Sequence, residues 1–329
     1  MSERLGVAIV GCGLIGTKRA GAVGDCRIRV CCDTAAGRAE ALAARFAGAE
    51  ACGDWRAAAA HAAVDIVVVA TTHDQLAAVA EVAAAAGKHV LIEKPGARRA
   101  AELEPVARAA ERTGVRVRVG FNHRYHRAMQ EARRIFLAGG LGEMMYVRGR
   151  YGHGGRPGYD REWRADAAVS GGGELLDQGV HLIDLARWFL GDFERVQSHL
   201  ATYFWDMPVE DNAFLILTTA AGKAAHLHAT WTEWKNLFSL EICGRLGKLE
   251  ISGLGGSYGV ERLAFYRMLP QMGPPETTIR EYPMADNSWD AEFADFLEDI
   301  RLARAPEPGI GDAQAALAVI EQAYREAAR

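Results

Sequence analysis

An aspartate and a histidine four residues apart, Asp177 and His181, stand on an otherwise oily stretch, and Asp184 follows three residues on. At about 100° per residue the three fall within ~60° of one another on a helix. The other faces carry Leu175, Leu176, Val180, Leu182, Ile183, Leu185, Trp188, Phe189 and Leu190. Such a narrow polar stripe needs partners, because buried polar groups must be satisfied. A wet reaction site is one reason for it, and a closed structural network is the other. In a reaction site Asp177 orients His181 and favours its charged form. His181 then suits proton transfer from an alcohol near neutral pH. Glu93-Lys94-Pro95 is a second reactive group. The rigid proline holds the lysine ammonium at one place, where it stabilises a developing alkoxide or gives up a proton.

The segment Gly11-Cys12-Gly13-Leu14-Ile15-Gly16 has the spacing of a dinucleotide-binding turn. Its glycines serve a tight turn, close approach of backbone to a pyrophosphate, and close helix–strand packing. The following helix start supplies N–H groups and a positive dipole end. Asp33 stands twenty residues after Gly13, where a carboxylate accepts from both adenosine ribose hydroxyls and repels a 2′-phosphate. NAD is therefore expected; Thr34 and Arg38 are further candidate cofactor contacts, and Arg38 leaves NADP open. Thr71, Thr72 and His73 close another strand and are further candidates to line the cofactor.

These residues need a scaffold. Apolar runs at 5–10, 27–32, 64–70, 89–93 and 115–120 read as strands. Helical stretches alternate with them at 14–23, 35–46, 75–86 and 100–113, and Gly87 is a natural helix stop. That alternation argues for a parallel sheet covered by helices on both faces. After residue 122 the pattern changes to a helix at 128–138 and strands at 144–151, 196–205, 213–219, 224–230 and 237–243. Helices at 173–190, 289–304 and 312–328 accompany them. This reads as an antiparallel meander with helices on one side. The expected domains are residues 1–122 and 123–329.

Composition narrows the function classes. The chain has 329 residues, two domains' worth, with 50% hydrophobic and 24% charged residues. Its net charge of −4 offers no basic excess for a phosphate backbone, which argues against a nucleic-acid partner. No run reaches the ~18 apolar residues of a membrane span. Met1-Ser2-Glu3-Arg4 shows no secretory signal, so a cytoplasmic location is expected. The six cysteines make no CxxC or zinc spacing and read as reduced thiols, and no metal is expected.

Together GCGLIG, Asp33, Glu93-Lys94-Pro95 and the block from Gly171-Gly172-Gly173 through Asp177 and His181 to Asp184 resemble the Gfo/Idh/MocA oxidoreductase family. That family includes glucose-fructose oxidoreductase and inositol dehydrogenases, and the resemblance spans nearly the whole chain. It implies an α/β fold: an N-terminal Rossmann domain with a doubly wound parallel sheet, then an α+β domain on a mostly antiparallel open sheet. That open sheet commonly makes a dimer or tetramer interface. The resemblance also implies hydride transfer between nicotinamide and a secondary hydroxyl or ketone carbon of a sugar, sugar derivative or cyclitol. By position, Lys94, Asp177 and His181 match the catalytic set. Gly11, Gly13, Leu14, Ile15, Gly16, Asp33, Thr71, Glu93, Lys94 and Asn122 match cofactor contacts. Trp163-Arg164 looks like the Trp-Arg pair that touches the cofactor in anhydrofructose-reductase-like members. Where the family often reads Thr-Pro-Asn-x-x-His, this chain has Thr71-Thr72-His73-Asp74-Gln75-Leu76.

The expected substrate contacts are Lys94, Arg124, Tyr151, Arg156, Asp177 and His181. The loop 152–164, with Arg156, Arg161 and Arg164 among Tyr159 and Trp163, also admits an anionic sugar. The central expectation is that the imidazole of His181 and the amine of Lys94 share one pocket with the nicotinamide. An NAD-dependent glycoside hydrolase of the same architecture and a non-catalytic dinucleotide sensor are the alternatives.

Overall fold

A computed structural model describes residues 4–328; Met1-Ser2-Glu3, read above for a secretory signal, lie outside the described residues. The chain divides into two compact units, residues 4–121 with Trp289–Gln314, and Asn122–Ser288 with residues 315–328.

In the first unit, strands β1 (Gly6–Val10), β2 (Arg27–Cys32), β3 (Glu50–Cys52), β4 (Ile66–Val69), β5 (His89–Glu93) and β6 (Val117–Gly120) alternate with helices. The helices are α1 (Leu14–Gly21), α2 (Ala36–Ala43), α3 (Trp55–Ala60), α4 (His73–Ala85) and α5 (Glu104–Thr113). The strands are all parallel in the order β3-β2-β1-β4-β5-β6. This is the doubly wound arrangement, with its switch point between β1 and β4. Every residue of β1 and β4 is buried, as Ile/Val runs covered on both faces must be. Helix α4 stops where Gly87 takes φ +78°, as its sequence position implied. The short β3 and α3 had no apolar run to announce them.

The second unit holds α6 (Arg127–Leu137), β7 (Met144–Gly152), α7 (Ala167–Ser170), α8 (Val180–Leu190), and strands β8 (Phe193–Ala201), β9 (Asn212–Thr219), β10 (Ala224–Thr230) and β11 (Leu237–Gly244). Three further strands follow: β12 (Gly247–Ser252), β13 (Glu261–Arg267) and β14 (Glu276–Tyr282). The eight-stranded order is β14-β13-β12-β11-β7-β10-β9-β8. The sheet is mostly antiparallel, but not the unbroken meander expected, because β10 returns beside β7 in parallel. The long excursion through α7 and α8 separates β7 from its sequence neighbour β8. Burial alternates along β12, the mark of a sheet with one covered face.

The chain closes with α9 (Ser288–Leu302) and α10 (Ile310–Ala327). The expected second domain, 123–329, is corrected here: residues 289–314 belong to the first unit. Phe293 and Phe296 enter the same core as Val7, Ile9, Val68 and Leu91. Asp295 and Asp299 pair with the fully buried Arg118 of β6. Among the described residues all six cysteines are free thiols, and no helix is long and apolar enough to cross a membrane.

Candidate active site

The nucleotide turn is built by backbone contact. Gly11 takes φ +92°, and a Cβ there would lie 2.3 Å from the Ala70 carbonyl oxygen at the end of β4. A Cβ on Gly16 would sit 1.8 Å from the Gly11 carbonyl oxygen, so α1 presses directly on the turn. A Cβ on Gly13 would meet nothing within 4 Å. That open space faces the helix start, as a pyrophosphate requires. Asp33 accepts from Cys12 N through one oxygen and from Ala35 N through the other, each at 2.8 Å. Its carboxylate is thereby fixed while lone pairs remain for a ribose diol. The residues present fit NAD.

Leu14, Thr34 and Arg38 are exposed around this cradle, and Ile15 is half-buried. Thr71 Oγ1 donates to the Thr72 carbonyl, and Thr72 Oγ1 donates to Asp74. His73, expected to close the strand, is instead the first residue of α4 and is buried.

Glu93 is buried and bound to Arg19 of α1, Nε to Oε1 at 2.5 Å. The other arm of Arg19 holds Glu292 of α9 at 2.5 Å, and its guanidinium stands 4.4 Å from the Trp289 ring centre. A Cβ on Gly120 would fall 2.5 Å from Arg19 Nη2, which explains a glycine at the end of β6. Glu93, expected at the cofactor, thus anchors the strand end that presents half-buried Lys94.

In the second unit the polar helix starts irregularly. Leu175–Gly179 form a π-turn that runs into α8. Such turns recur at functional positions. Gly173 N and Leu175 N donate to the Glu210 carboxylate at 3.1 Å, and Tyr324 Oη donates to it at 2.8 Å. Burial pushes the Glu210 carboxyl up, against the pull of these donors. A Cβ on Gly172 would lie 2.0 Å from Tyr324 Oη, and one on Gly173 2.1 Å from the Glu210 carbonyl oxygen. The glycine run is therefore a steric requirement of this anchor. Replacing Glu210 by Ala leaves three donors without their acceptor. Unfolding free energy of the second unit falls by about 2–4 kcal/mol in urea titration, and Glu210→Gln loses less.

Asp177 and His181 are both buried, and the Asp177 carboxylate accepts from Arg164 Nε at 2.9 Å. Arg164 was expected on the cofactor; its guanidinium is committed to Asp177 and stands 4.5 Å from the Trp163 ring centre. Asp184 accepts both arms of Arg124, at 2.8 and 2.5 Å. That pair is buried, so Arg124 is corrected from a substrate contact to an internal strut, and the expected three-residue stripe divides. Arg156 is exposed and paired with Glu162 at 2.6 Å. Arg164 also approaches Glu162, at 3.6 Å. Local carboxylates thus neutralise two of the arginines that were to recognise an anion.

The His181 ring packs on His123, centroids 3.8 Å apart at 31°. Tyr151 lies edge-on to both, at 6.2 and 5.1 Å. Burial raises the Tyr151 hydroxyl well above its ordinary value and pushes Tyr258 up to about 12. Both phenols therefore stay protonated near neutrality and serve as donors. Asn122 donates to Ser288 Oγ at 2.9 Å and accepts from His123 Nδ1 at 3.3 Å. Sequence reasoning missed His123, Glu210, Tyr258, Tyr324, Arg19 and Glu292. Only His123, adjacent to Asn122, carried a local signal.

Residues 5–121 match a family model described as oxidoreductase family, NAD-binding Rossmann fold, and residues 129–250 match the Gfo/Idh/MocA C-terminal domain. The chain belongs to the Gfo/Idh/MocA oxidoreductase family, and its first unit carries that family's NAD-binding Rossmann domain. It is 31% identical over 182 residues to levoglucosan dehydrogenase of Pseudarthrobacter phenanthrenivorans, a match over 55% of this chain and 47% of that one. It is 29% identical over 231 residues to inositol 2-dehydrogenase of Salmonella typhimurium, over 66% of this chain and 65% of that one. The match thus spans between about half and two thirds of these relatives' length. Among solved structures, GenD2 from gentamicin A biosynthesis, in complex with NAD, superposes with a TM-score of 0.84 at 27% identity, covering 100% of this chain and 95% of that one.

Proposed function

We propose that the protein is an NAD-dependent dehydrogenase or reductase acting on a secondary hydroxyl or ketone carbon of a neutral sugar, sugar derivative or cyclitol. The observation that carries this reading is His181, buried on an apolar helix four residues from Asp177. A buried imidazole with carboxylate support is a proton-transfer group. The relatives named levoglucosan and inositol dehydrogenase support the substrate class. The pairing of Arg156 and Arg164 with Glu162 and Asp177 favours a neutral ring over a phosphorylated one.

NAD held by Gly11, Gly13, Gly16 and Asp33 would supply the acceptor for the carbinol hydride. A ring nitrogen of His181 takes the hydroxyl proton. The Lys94 ammonium donates to the reacting oxygen as its charge grows. Asp177, held by Arg164, supports the imidazolium. In reduction the proton runs back from His181 to the oxygen. Asp33 favours NAD, while exposed Arg38 leaves NADP a weaker alternative.

The outer face of the eight-stranded sheet leaves Tyr146 and Ile216 exposed. Burial, with Arg150 and His226 nearby, holds His228 down at about 4, so part of that face stays uncharged near neutrality. These features support a homodimer or homotetramer through this sheet.

A screen of cyclitols, free sugars and sugar phosphates with NAD and NADP, read at the NADH absorbance band, tests the proposal. Reduction of NAD with a neutral polyol is expected. Cleavage of an aryl glycoside with no net NADH overturns it in favour of a hydrolase, and tight NAD binding with neither reaction overturns it in favour of a sensor.

A further inference from the structure

The imidazole of His123 is the nearest ring to the base proposed above, and that reading gives it no work. Its centroid lies 3.8 Å from that of His181 with the planes tilted by 31°, and both residues are buried. The rest of the enclosure is aromatic: Tyr151 at 5.1 Å, Phe238 at 5.9 Å and His126 at 5.6 Å. The Asn122 oxygen is an acceptor only, so His123 Nδ1 carries its hydrogen toward it and Nε2 is the nitrogen left to titrate.

Two imidazolium rings at this separation, both buried, repel each other strongly. The carboxylates around the pair are mostly shared with other groups. Asp177 of the same helix segment is shared with Arg164, and Asp184 is shared with Arg124. Glu261 of β13 pairs with His126 at 3.2 Å, where Asp286 also stands at 3.9 Å. Tyr151 of β7 and Tyr258 add protonated phenols. Glu174, on the same segment as Asp177, is the remaining carboxylate.

We propose that His123 and His181 are a coupled imidazole pair that accepts one proton between them, with His123 setting the pH range in which His181 takes the proton from substrate. This rests on the assignment of His181 as the base. His123 touches no reacting atom in this scheme and is a positioning residue: its neutral ring face supports the charge that His181 acquires, and its own protonation blocks that of His181.

The test is an NMR titration of the ¹⁵N-histidine-labelled protein, wild type, His123→Phe and His181→Asn. In the wild type both rings are expected to show two inflections, separated by more than about one pH unit. In each variant the remaining ring titrates in a single step. One-step curves whose midpoints ignore the partner's removal overturn the pair. The wild-type curves decide the matter even where a variant does not fold. Turnover of His181→Asn separates this idea from the one beneath it. Full turnover removes the base assignment and with it this role for His123, whereas lost turnover with uncoupled titrations removes the pair alone.

Discussion

His181→Ala lowers kcat by about 10²–10⁴-fold with the polyol found in the screen, while NADH binds as in the wild type. The rate falls because the substrate hydroxyl loses the group that takes its proton. Affinity for NADH holds because the proposed dinucleotide cradle, Gly11, Gly13, Gly16 and Asp33, is built within the first unit from groups that the substitution leaves unchanged. Lys94→Ala lowers kcat by about 10²–10³-fold, the loss that follows removal of one donor to a developing oxyanion. Steady-state kinetics give kcat, and fluorescence titration with NADH gives Kd. Turnover within a few-fold of wild type in both variants would falsify the proposed chemistry.

Arg19→Met destabilises the first unit by about 3–5 kcal/mol. Arg19 is fully buried and is held by Glu93 on one side and Glu292 on the other. Its removal leaves two buried carboxylates facing each other across an apolar gap. Breaking such a network costs far more than the network contributes against an apolar replacement. The triple variant Arg19→Met, Glu93→Gln, Glu292→Gln therefore recovers most of the loss. Urea denaturation followed by tryptophan fluorescence measures it, with Trp289 over the guanidinium as a local reporter. A loss below about 1 kcal/mol in the single variant shows that the carboxylates find other partners. Cofactor affinity falls as well, since the helix that bears Arg19 also bears Gly16.

The parts of this molecule that were legible from sequence share a cause: each announces itself locally. The Ile/Val strands of the first sheet, the turn at Gly11–Gly16 and the stop at Gly87 follow from short-range sterics and burial. Asp33 follows from fixed spacing. The short Glu50–Cys52 strand has no apolar pattern, since two of its three residues are exposed and one is half-buried. The exposed edge strand Glu276–Tyr282 reads as solvated coil for the same reason. Asp177 and Asp184 were placed on one stripe because 100° steps were assumed throughout, and the π-turn breaks that count. Arg124 was expected to touch substrate because its local sequence carries no mark of a buried carboxylate sixty residues on. Glu210, 37 residues from the glycine it holds, and Glu292, 273 residues from Arg19, belong to contacts that no local window contains.

The membership of residues 289–314 in the first unit bears on how the chain is made. Synthesis starts at the N-terminus, so Arg19 leaves the ribosome 273 residues ahead of Glu292, and Arg118 leaves 177 and 181 residues ahead of Asp295 and Asp299. At about 5–20 residues per second these intervals are on the order of ten to fifty seconds. During it the nascent nucleotide-binding half holds two guanidinium groups with no counter-ion from α9 and lacks the cover of Phe293 and Phe296. Its final closure is therefore a late event, and a nascent chain halted short of Glu292 presents an apolar face for a chaperone to shield.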